Sequence, residues 1–503
     1  MLALAVRNTK KLVRAQVKEQ NIRIGNRFTK RGNAAFMASL ADVPDKETVS
    51  ILCPGAGTGI LPAALVEHIC KSSGAVRFID LVCYENDSML IPMLADNLER
   101  VRRRCKHDYD VRLRIKIAEE DFILKEGCVH PDMKRKSDVF GGFDFAILNP
   151  PDGLCERTSA YAGAVPEIVS AAISESYIFT ALALNELSEG GQLIAYLPIA
   201  MAYGAYHQRF RKYLFERSSL VRMHVFADKK RSGAAKETAV RKNFIIKTVK
   251  GAAVPRDTAV SSSDGDEVLG ECRMMPPLPY EFVVRSEFSG LTLVRSIDEL
   301  RNYIFMASMP NTLSSLGLKI RTGLTLESRY PEFIFGESGD GRIPMITPKN
   351  LRYGYIDMDV SRKFIVPIIP SLAQPNKNLL VVKRVPSRTD GRHLVCGVYL
   401  ASQNYGYEQI STHNKLNYID YADEREIDSA MLHGLYALFS STLYERYCSV
   451  ISGEGLVSVS DYANIPLPDV RLIRAIGESL STARTLSSRA CDNLVNRALG
   501  LVK

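Results

Sequence analysis

The sequence predicts an α/β fold: a mainly parallel sheet with helices on both faces, followed by a separate α+β domain. Three observations predict it. From residue 49 to about 250, short apolar β-rich runs alternate with helical ones, the pattern of parallel strands joined by crossover helices. The first such run closes on a glycine-rich turn, Cys53-Pro54-Gly55-Ala56-Gly57-Thr58-Gly59. A later run, Phe143–Leu148, closes on Asn149-Pro150-Pro151-Asp152. Both turns fall at the carboxyl ends of strands, where open parallel sheets bind their ligands.

Residues 1–48 read as mostly helical and basic, with a break at Asn26–Gly32 and a resumption over Ala34–Leu40. Strands are predicted at Val49–Cys53, Phe78–Tyr84, Leu113–Ala118, Phe143–Leu148, Gln192–Leu197, Val221–Phe226 and Asn243–Lys247. Helices are predicted at Leu61–Cys70, Ser88–Arg104, Ser174–Leu187 and His207–Glu216. Residues 251–285 carry Val254-Pro255, a Ser261-Ser262-Ser263-Asp264-Gly265 run and Pro276-Pro277, and read as a linker. The rest, 286–503, has strand-like runs at Phe364–Ile369, Leu379–Val385 and His393–Leu400, and helical patterns over Asp428–Tyr447 and Val470–Leu499.

With 503 residues the chain has room for two or three domains. A net charge of +9 fits a polyanionic partner without requiring one. The ten cysteines form no CxxC pair, which argues for a cytoplasmic location with reduced thiols and against structural zinc or another bound metal. The first residues place their charges after the apolar ones, the reverse of a secretory signal. The most apolar later stretch, Gly191–Tyr206, is too short and polar to span a bilayer, so no membrane is expected.

Gly55, Gly57 and Gly59 stand between a strand and a helix. Glycine there lets the backbone approach a ligand and take positive φ, and the helix start offers unpaired amides. Glu85, followed by Asn86, ends the next strand, where a carboxylate can accept bonds from ribose hydroxyls. Asp121-Phe122 ends the third; the acid can accept from an adenine amino group and the ring can lie against the base. The glycine loop alone fits an NAD site, another nucleotide site or a plain strand–helix turn equally well. With Glu85 and Asp121 at successive strand ends, a nucleotide-like cofactor is favoured.

The second turn suits amino-group chemistry. The lone pair of an exocyclic adenine amine is delocalised into the ring, so acceptors aimed at its hydrogens favour a more nucleophilic nitrogen. Asn149 offers its side-chain oxygen and Pro150 its carbonyl, and Pro150-Pro151 stiffens the turn. An ordinary proline turn is the bland alternative. Loop and turn in this order point to an S-adenosylmethionine-dependent methyltransferase.

These residues resemble the amino-methyltransferases of the gamma arrangement, in which cofactor loop, catalytic turn and target-recognition domain follow in that order. More narrowly, the chain resembles adenine-specific DNA methyltransferases of PstI/BsuBI-type restriction–modification systems. The resemblance runs through Phe28-Thr29, Pro54–Gly59, Tyr84-Glu85, Glu120–Ile123, Asn149–Pro151, Gly190–Leu193 and Arg209–Phe226. It continues in Ile343–Ile346, Leu379–Arg384, Asn414–Tyr418 and Ser441–Tyr447. It implies a Rossmann-like S-adenosylmethionine-dependent domain at 49–250, a Phe28-Thr29 turn contacting the cofactor, and target recognition by 286–503. It also implies double-stranded DNA as partner, a flipped adenine, and a cognate restriction endonuclease or defence-complex subunit. Cys53 stands where the family has Asp near the amino-acid end of the cofactor, and Asp152 where it has an aromatic ring. Stacking on a base is worth roughly 1–3 kcal/mol, and a carboxylate cannot supply it; Tyr161 and Tyr203 are candidate substitutes.

Candidate DNA contacts are Lys383, Arg384, Arg388 and Arg392, then Asn414 and Lys415. Lys and Arg suit phosphate and guanine, Asn suits adenine. The stretch Lys229–Lys242 is expected to be a basic loop near the duplex. Two rival functions stay open: a weak or inactive DNA-binding homologue, favoured by Asp152, and an amino-methyltransferase acting on RNA or protein.

Overall fold

The computed structural model describes residues 1–20, 28–127, 142–169, 172–227, 243–386, 392–404, 406–423, 425–453, 457–481 and 486–501. The basic stretch expected at Lys229–Lys242 and Arg388 both lie outside them, apart from the end residue Lys242's neighbour Asn243, which begins a strand. The chain forms two compact units, Met1–Ser296 and Ile297–Lys503.

The first unit opens with helices α1 (Leu2–Gln20) and α2 (Arg31–Ser39). Then come β1 (Thr48–Pro54), α3 (Ile60–Ser72), β2 (Phe78–Tyr84), α4 (Ile91–Tyr109), β3 (Arg112–Ala118) and α5 (Phe122–Gly127). β4 (Phe143–Leu148) is followed by a short ribbon, β5 (Leu154–Glu156) and β6 (Ala172–Ser174), flanking α6 (Ala160–Ala164). The unit continues with α7 (Glu175–Asn185), β7 (Leu187–Pro198), α8 (Gln208–Arg217), β8 (Ser218–Ala227), β9 (Asn243–Lys250) and β10 (Asp257–Asp264).

Within the large sheet these strands lie in the order β10-β8-β9-β7-β4-β1-β2-β3. β9 runs antiparallel between β7 and β8, and the other neighbours are parallel. β1 is buried from Val49 onward, as a central strand covered on both faces requires. α3 is apolar almost all round and lies in the same core as β1 and the buried face of α4. The order matters for function: β1, β2 and β3 lie on one side of β4 and β7 on the other, so the two predicted turns end adjacent strands.

The expected linker is revised. Residues 257–264 form β10, which pairs in parallel with β8 from Ala259↔Arg222 to Asp264↔Ala227. Ser261, Ser262 and Ser263 are buried there. The serine run reads as loop composition, but its hydroxyls have partners: Ser261 and Ser263 flank the ring of His224 at 2.9 and 3.0 Å, and Ser262 donates to the Arg295 carbonyl at 2.7 Å. The first unit therefore runs on to Ser296 rather than ending near 250.

His224 is 1% exposed, and burial pushes its pKa down to about 4. The unfolded chain, with an ordinary value near 6.5, takes up the proton first. Stability from this residue is full above about pH 6.5 and is lost as pH falls toward 4, by up to about 3 kcal/mol. Urea unfolding at pH 7.5 and 4.5 should show that loss in the native protein and a smaller one in His224→Gln; equal losses would contradict the assignment.

The second unit is built on a six-stranded sheet. Its spatial order is Leu318–Thr322, Leu416–Tyr421, Leu379–Lys383, Cys396–Tyr399, Tyr355–Ile356 and Leu351–Arg352. Each of the two long helices predicted here is a pair. Ser441 ends Ser429–Ser440 and caps Thr442–Ser452 by accepting from the Tyr444 amide. Ser487 caps Ser488–Ala498 through the Ala490 amide, after Val470–Leu480 has ended. Periodicity continues across each break, which is why the sequence reads as single helices.

Candidate active site

The carboxyl ends of β1 to β4 carry the predicted residues side by side. Gly55, Gly57 and Gly59 have φ of +65°, +57° and +84°, values that favour glycine. Glu85 fastens this loop from the end of β2: one carboxylate oxygen accepts from the Gly57 amide at 2.7 Å, the other from the Asp87 amide at 2.9 Å. A Cβ on Gly57 would lie 3.7 Å from the Phe28 ring, so Phe28 covers the loop although it is distant in sequence. Behind it, Thr58 and Thr9 of α1 share a buried hydroxyl contact at 2.6 Å, and Asn97 of α4 donates to the Thr58 carbonyl at 2.8 Å. Thr9 and Asn97 were not expected from sequence; a threonine and an asparagine inside amphipathic helices look like ordinary polar positions.

The Asn149-Pro150-Pro151 turn adjoins the loop. Pro150 is buried and Asn149 half-buried. The Asn149 side-chain nitrogen donates to the Thr29 hydroxyl at 2.9 Å. That bond orients the amide and leaves Oδ1 to face elsewhere. Phe28-Thr29 thus joins the glycine loop to the Asn149 turn. Pro151 reaches the loop as well, with its Cδ 4.0 Å from where a Gly55 Cβ would stand.

Other predicted residues are placed differently. Cys53 lies fully buried in the core, paired in register with Cys83. Its thiol is held well above the usual range by hydrogen bonding with Cys83 and by burial, so it offers no charged acceptor. Phe122 is also buried, 5.0 Å from Tyr84 and 5.4 Å from Phe179 between ring centroids, rather than open to a ligand. Asp121 accepts from the Tyr161 hydroxyl, from Asn86 Nδ2 at 3.2 Å and from the Leu124 amide at 3.0 Å. The hydrogen bond to Asp121 pushes the Tyr161 phenol up. Of the two candidate rings, Tyr203 is buried and Tyr161 is bonded to Asp121.

Asp152 is half-buried just beyond the turn. Glu175, the first residue of α7, is close: its amide donates to the Gly153 carbonyl at 2.8 Å. A Cβ on Gly153 would meet its carboxylate at 2.5 Å. Burial, then Asp121 and then Asp152, push the Glu175 carboxyl up. Three carboxylates, Asp121, Asp152 and Glu175, are therefore close enough to repel one another electrostatically.

Arg211 of α8 was not foreseen. It is 0% exposed, yet arginine on an amphipathic helix normally reads as solvent-facing. Its guanidinium donates to the carbonyls of Met201 (2.9 Å), Tyr203 (3.0 Å), Gly204 (2.7 Å), Phe288 (2.7 Å) and Ser289 (2.7 Å). It ties the segment leaving β7, neighbour of β4, to a turn in which Glu287 and Phe288 both have φ of +53°.

This geometry can be set beside known proteins. No family model matches the chain. It is 24% identical to the type II methyltransferase M.BsuBI of Bacillus subtilis over 473 residues, 90% of this chain and 89% of the relative. It is 25% identical to the type II methyltransferase M.PstI of Providencia stuartii over 469 residues, 90% of this chain and 88% of the relative. The chain resembles the type II methyltransferases. Among solved structures, the type IIL restriction-modification enzyme MmeI in complex with DNA has a TM-score of 0.48 at 10% identity, covering 100% of this chain and 74% of that one. A nuclease-deletion mutant of the type ISP enzyme LlaGI has a TM-score of 0.47 at 11% identity, covering 94% and 56%.

The similarity to type II methyltransferases spans both units, and the first unit has the mainly parallel, Rossmann-like sheet that the sequence predicts. The residues present fit S-adenosylmethionine: a loop with three glycines at positive φ, a carboxylate on Glu85 fixed by two backbone amides, and an acceptor on Asp121. In the second unit, Lys383 lies opposite Leu416 on adjacent strands, and the Arg384 amide donates to the Lys415 carbonyl at 2.8 Å. Lys383, Arg384, Asn414 and Lys415 are thereby brought together. Asn414 Oδ1 is buried without a hydrogen-bond partner among the described residues. Arg392 leaves this set. It donates to Ser488 Oγ (2.5 Å) and to the carbonyls of Ser440 (2.6 Å) and Ser441 (3.2 Å), so it holds helix ends together. No described helix is long and apolar enough to cross a membrane.

Proposed function

We propose that the protein transfers a methyl group from S-adenosylmethionine to the exocyclic amino group of adenine in duplex DNA, as the modification half of a restriction–modification or related defence system in the cytoplasm. The observation that carries this reading is the Asn149-Pro150-Pro151 turn, held by Thr29 and set against the glycine loop at the end of β4. The relatives' description as type II methyltransferases supports it. The cofactor supplies an electrophilic methyl on a sulfonium. Gly55–Gly59 and Glu85 bind and orient its nucleoside portion. Asn149 Oδ1 and the Pro150 carbonyl accept hydrogen bonds from the amino group, favouring a lone pair directed at the methyl. With the cofactor bound, the amino nitrogen would take the methyl from the sulfonium and then pass one of the hydrogens held by Asn149 Oδ1 and the Pro150 carbonyl to water. An adenine must leave the duplex to reach this turn. Lys383, Arg384, Asn414 and Lys415 are the proposed duplex contacts, and the partner nuclease is part of the same reading.

The test offers labelled S-adenosylmethionine with DNA, RNA and protein in parallel and digests the labelled DNA to nucleosides. Label in methylated adenine supports the proposal; label confined to RNA or protein replaces it. A second reading, a DNA-binding homologue with little turnover, is favoured by Asp152 and its carboxylate neighbours. Gain of activity in Asp152→Tyr over an inactive native protein would support that one.

Glu85→Ala is expected to weaken cofactor binding by about 10- to 100-fold, since hydrogen bonds to a charged group contribute roughly 1.5–3 kcal/mol. It also unfastens the Gly57 amide. Calorimetric titration with S-adenosylmethionine measures it; unchanged affinity would remove Glu85 from the site.

A further inference from the structure

We infer that Leu154 provides an apolar contact for the extruded base, in place of the aromatic side chain that Asp152 does not supply. The inference rests on the methyl-transfer reading above. Leu154 is 78% exposed, two residues beyond Asp152, on the β5–β6 ribbon. Leu154 pairs with Ser174, Cys155 with Ile173 and Glu156 with Ala172. The bond from the Glu175 amide to the Gly153 carbonyl extends this ladder by one residue toward the catalytic turn. Extended backbone places residues i and i+2 on one face. Cys155 is buried while Leu154 and Glu156 are exposed, so Leu154 shares the face of Asp152.

An apolar side chain held out to solvent is stabilised when a ligand covers it. Its surroundings make it stand out. Asp152, Glu175 and the Tyr161–Asp121 pair are polar, and the Glu175 carboxylate lies against Gly153. A purine presents a flat apolar face as well as polar edges. On the proposed reading the turn serves the amino edge, and Leu154 is the exposed large hydrophobic side chain nearest to it along the chain.

Exposure also makes the test clean, because replacing Leu154 removes little from the fold. Methyl transfer to unmodified genomic DNA is measured for native protein, Leu154→Ala, Asp152→Tyr and the double variant, with Tm and S-adenosylmethionine affinity alongside. Leu154→Ala is expected to lower kcat/KM for DNA about tenfold, at the lower end of what a base contact is worth, with Tm and cofactor affinity unchanged. In the Asp152→Tyr background the loss should shrink to about twofold or less, since the ring then covers the base. Native-like kcat/KM in Leu154→Ala overturns the inference, and so does an equal loss in both backgrounds. A native protein that methylates no DNA instead overturns the reading on which the inference rests.

Discussion

Asn149→Ala is expected to reduce methyl transfer by about 100- to 1,000-fold, the scale of removing one preorganised polar group from an active site, with S-adenosylmethionine affinity near native. The side chain's Nδ2 is committed to Thr29 at 2.9 Å, and on the proposed reading its Oδ1 accepts from the amino group. Alanine removes both the acceptor and the bond that orients it. The Pro150 carbonyl alone cannot engage both amino hydrogens. Asn149→Asp keeps an acceptor but gives up the donor to Thr29, so it should fall between native and alanine. The two variants separate the acceptor's contribution from its positioning. Single-turnover rates with saturating cofactor measure it, and a loss confined to KM for the cofactor would contradict the role.

Arg211→Met should cost about 3–5 kcal/mol of stability, because several buried backbone carbonyls lose their donor at once. Methionine fills part of the volume but donates nothing, so the carbonyls of Met201, Tyr203, Gly204, Phe288 and Ser289 lose their donor. Each buried acceptor left unpaired costs about 1–3 kcal/mol. Relaxation of Glu287 and Phe288 out of positive φ returns part of that. Arg211→Lys, with fewer donors on a compact head, should recover only a fraction. Urea unfolding of the three proteins gives the values; a loss below about 1 kcal/mol in Arg211→Met would mean that the arginine is dispensable.

The first sheet was legible because its strands are buried runs punctuated by glycine and proline. Val49–Cys53 and Phe143–Leu148 announce both their direction and their endpoints. Glu85 and Asp121 were legible through their place after a strand. What sequence concealed was polar residues with partners far along the chain. The Ser261–Ser263 run looks like linker until His224 is placed between its hydroxyls. Arg211 and Arg392 look like surface cations, and each turns inward to backbone carbonyls. Cys53 and Phe122 stand at the right strand ends, but side-chain direction took them into the core. Long-range pairing decided these cases, and spacing along the chain carries no signal for it.

The most direct measurement is methyl transfer from labelled S-adenosylmethionine to unmodified genomic DNA by the native protein and Asn149→Ala. Label incorporated by the native protein and lost in Asn149→Ala is the predicted result. Native protein that binds both cofactor and DNA yet incorporates no label would contradict the proposed function.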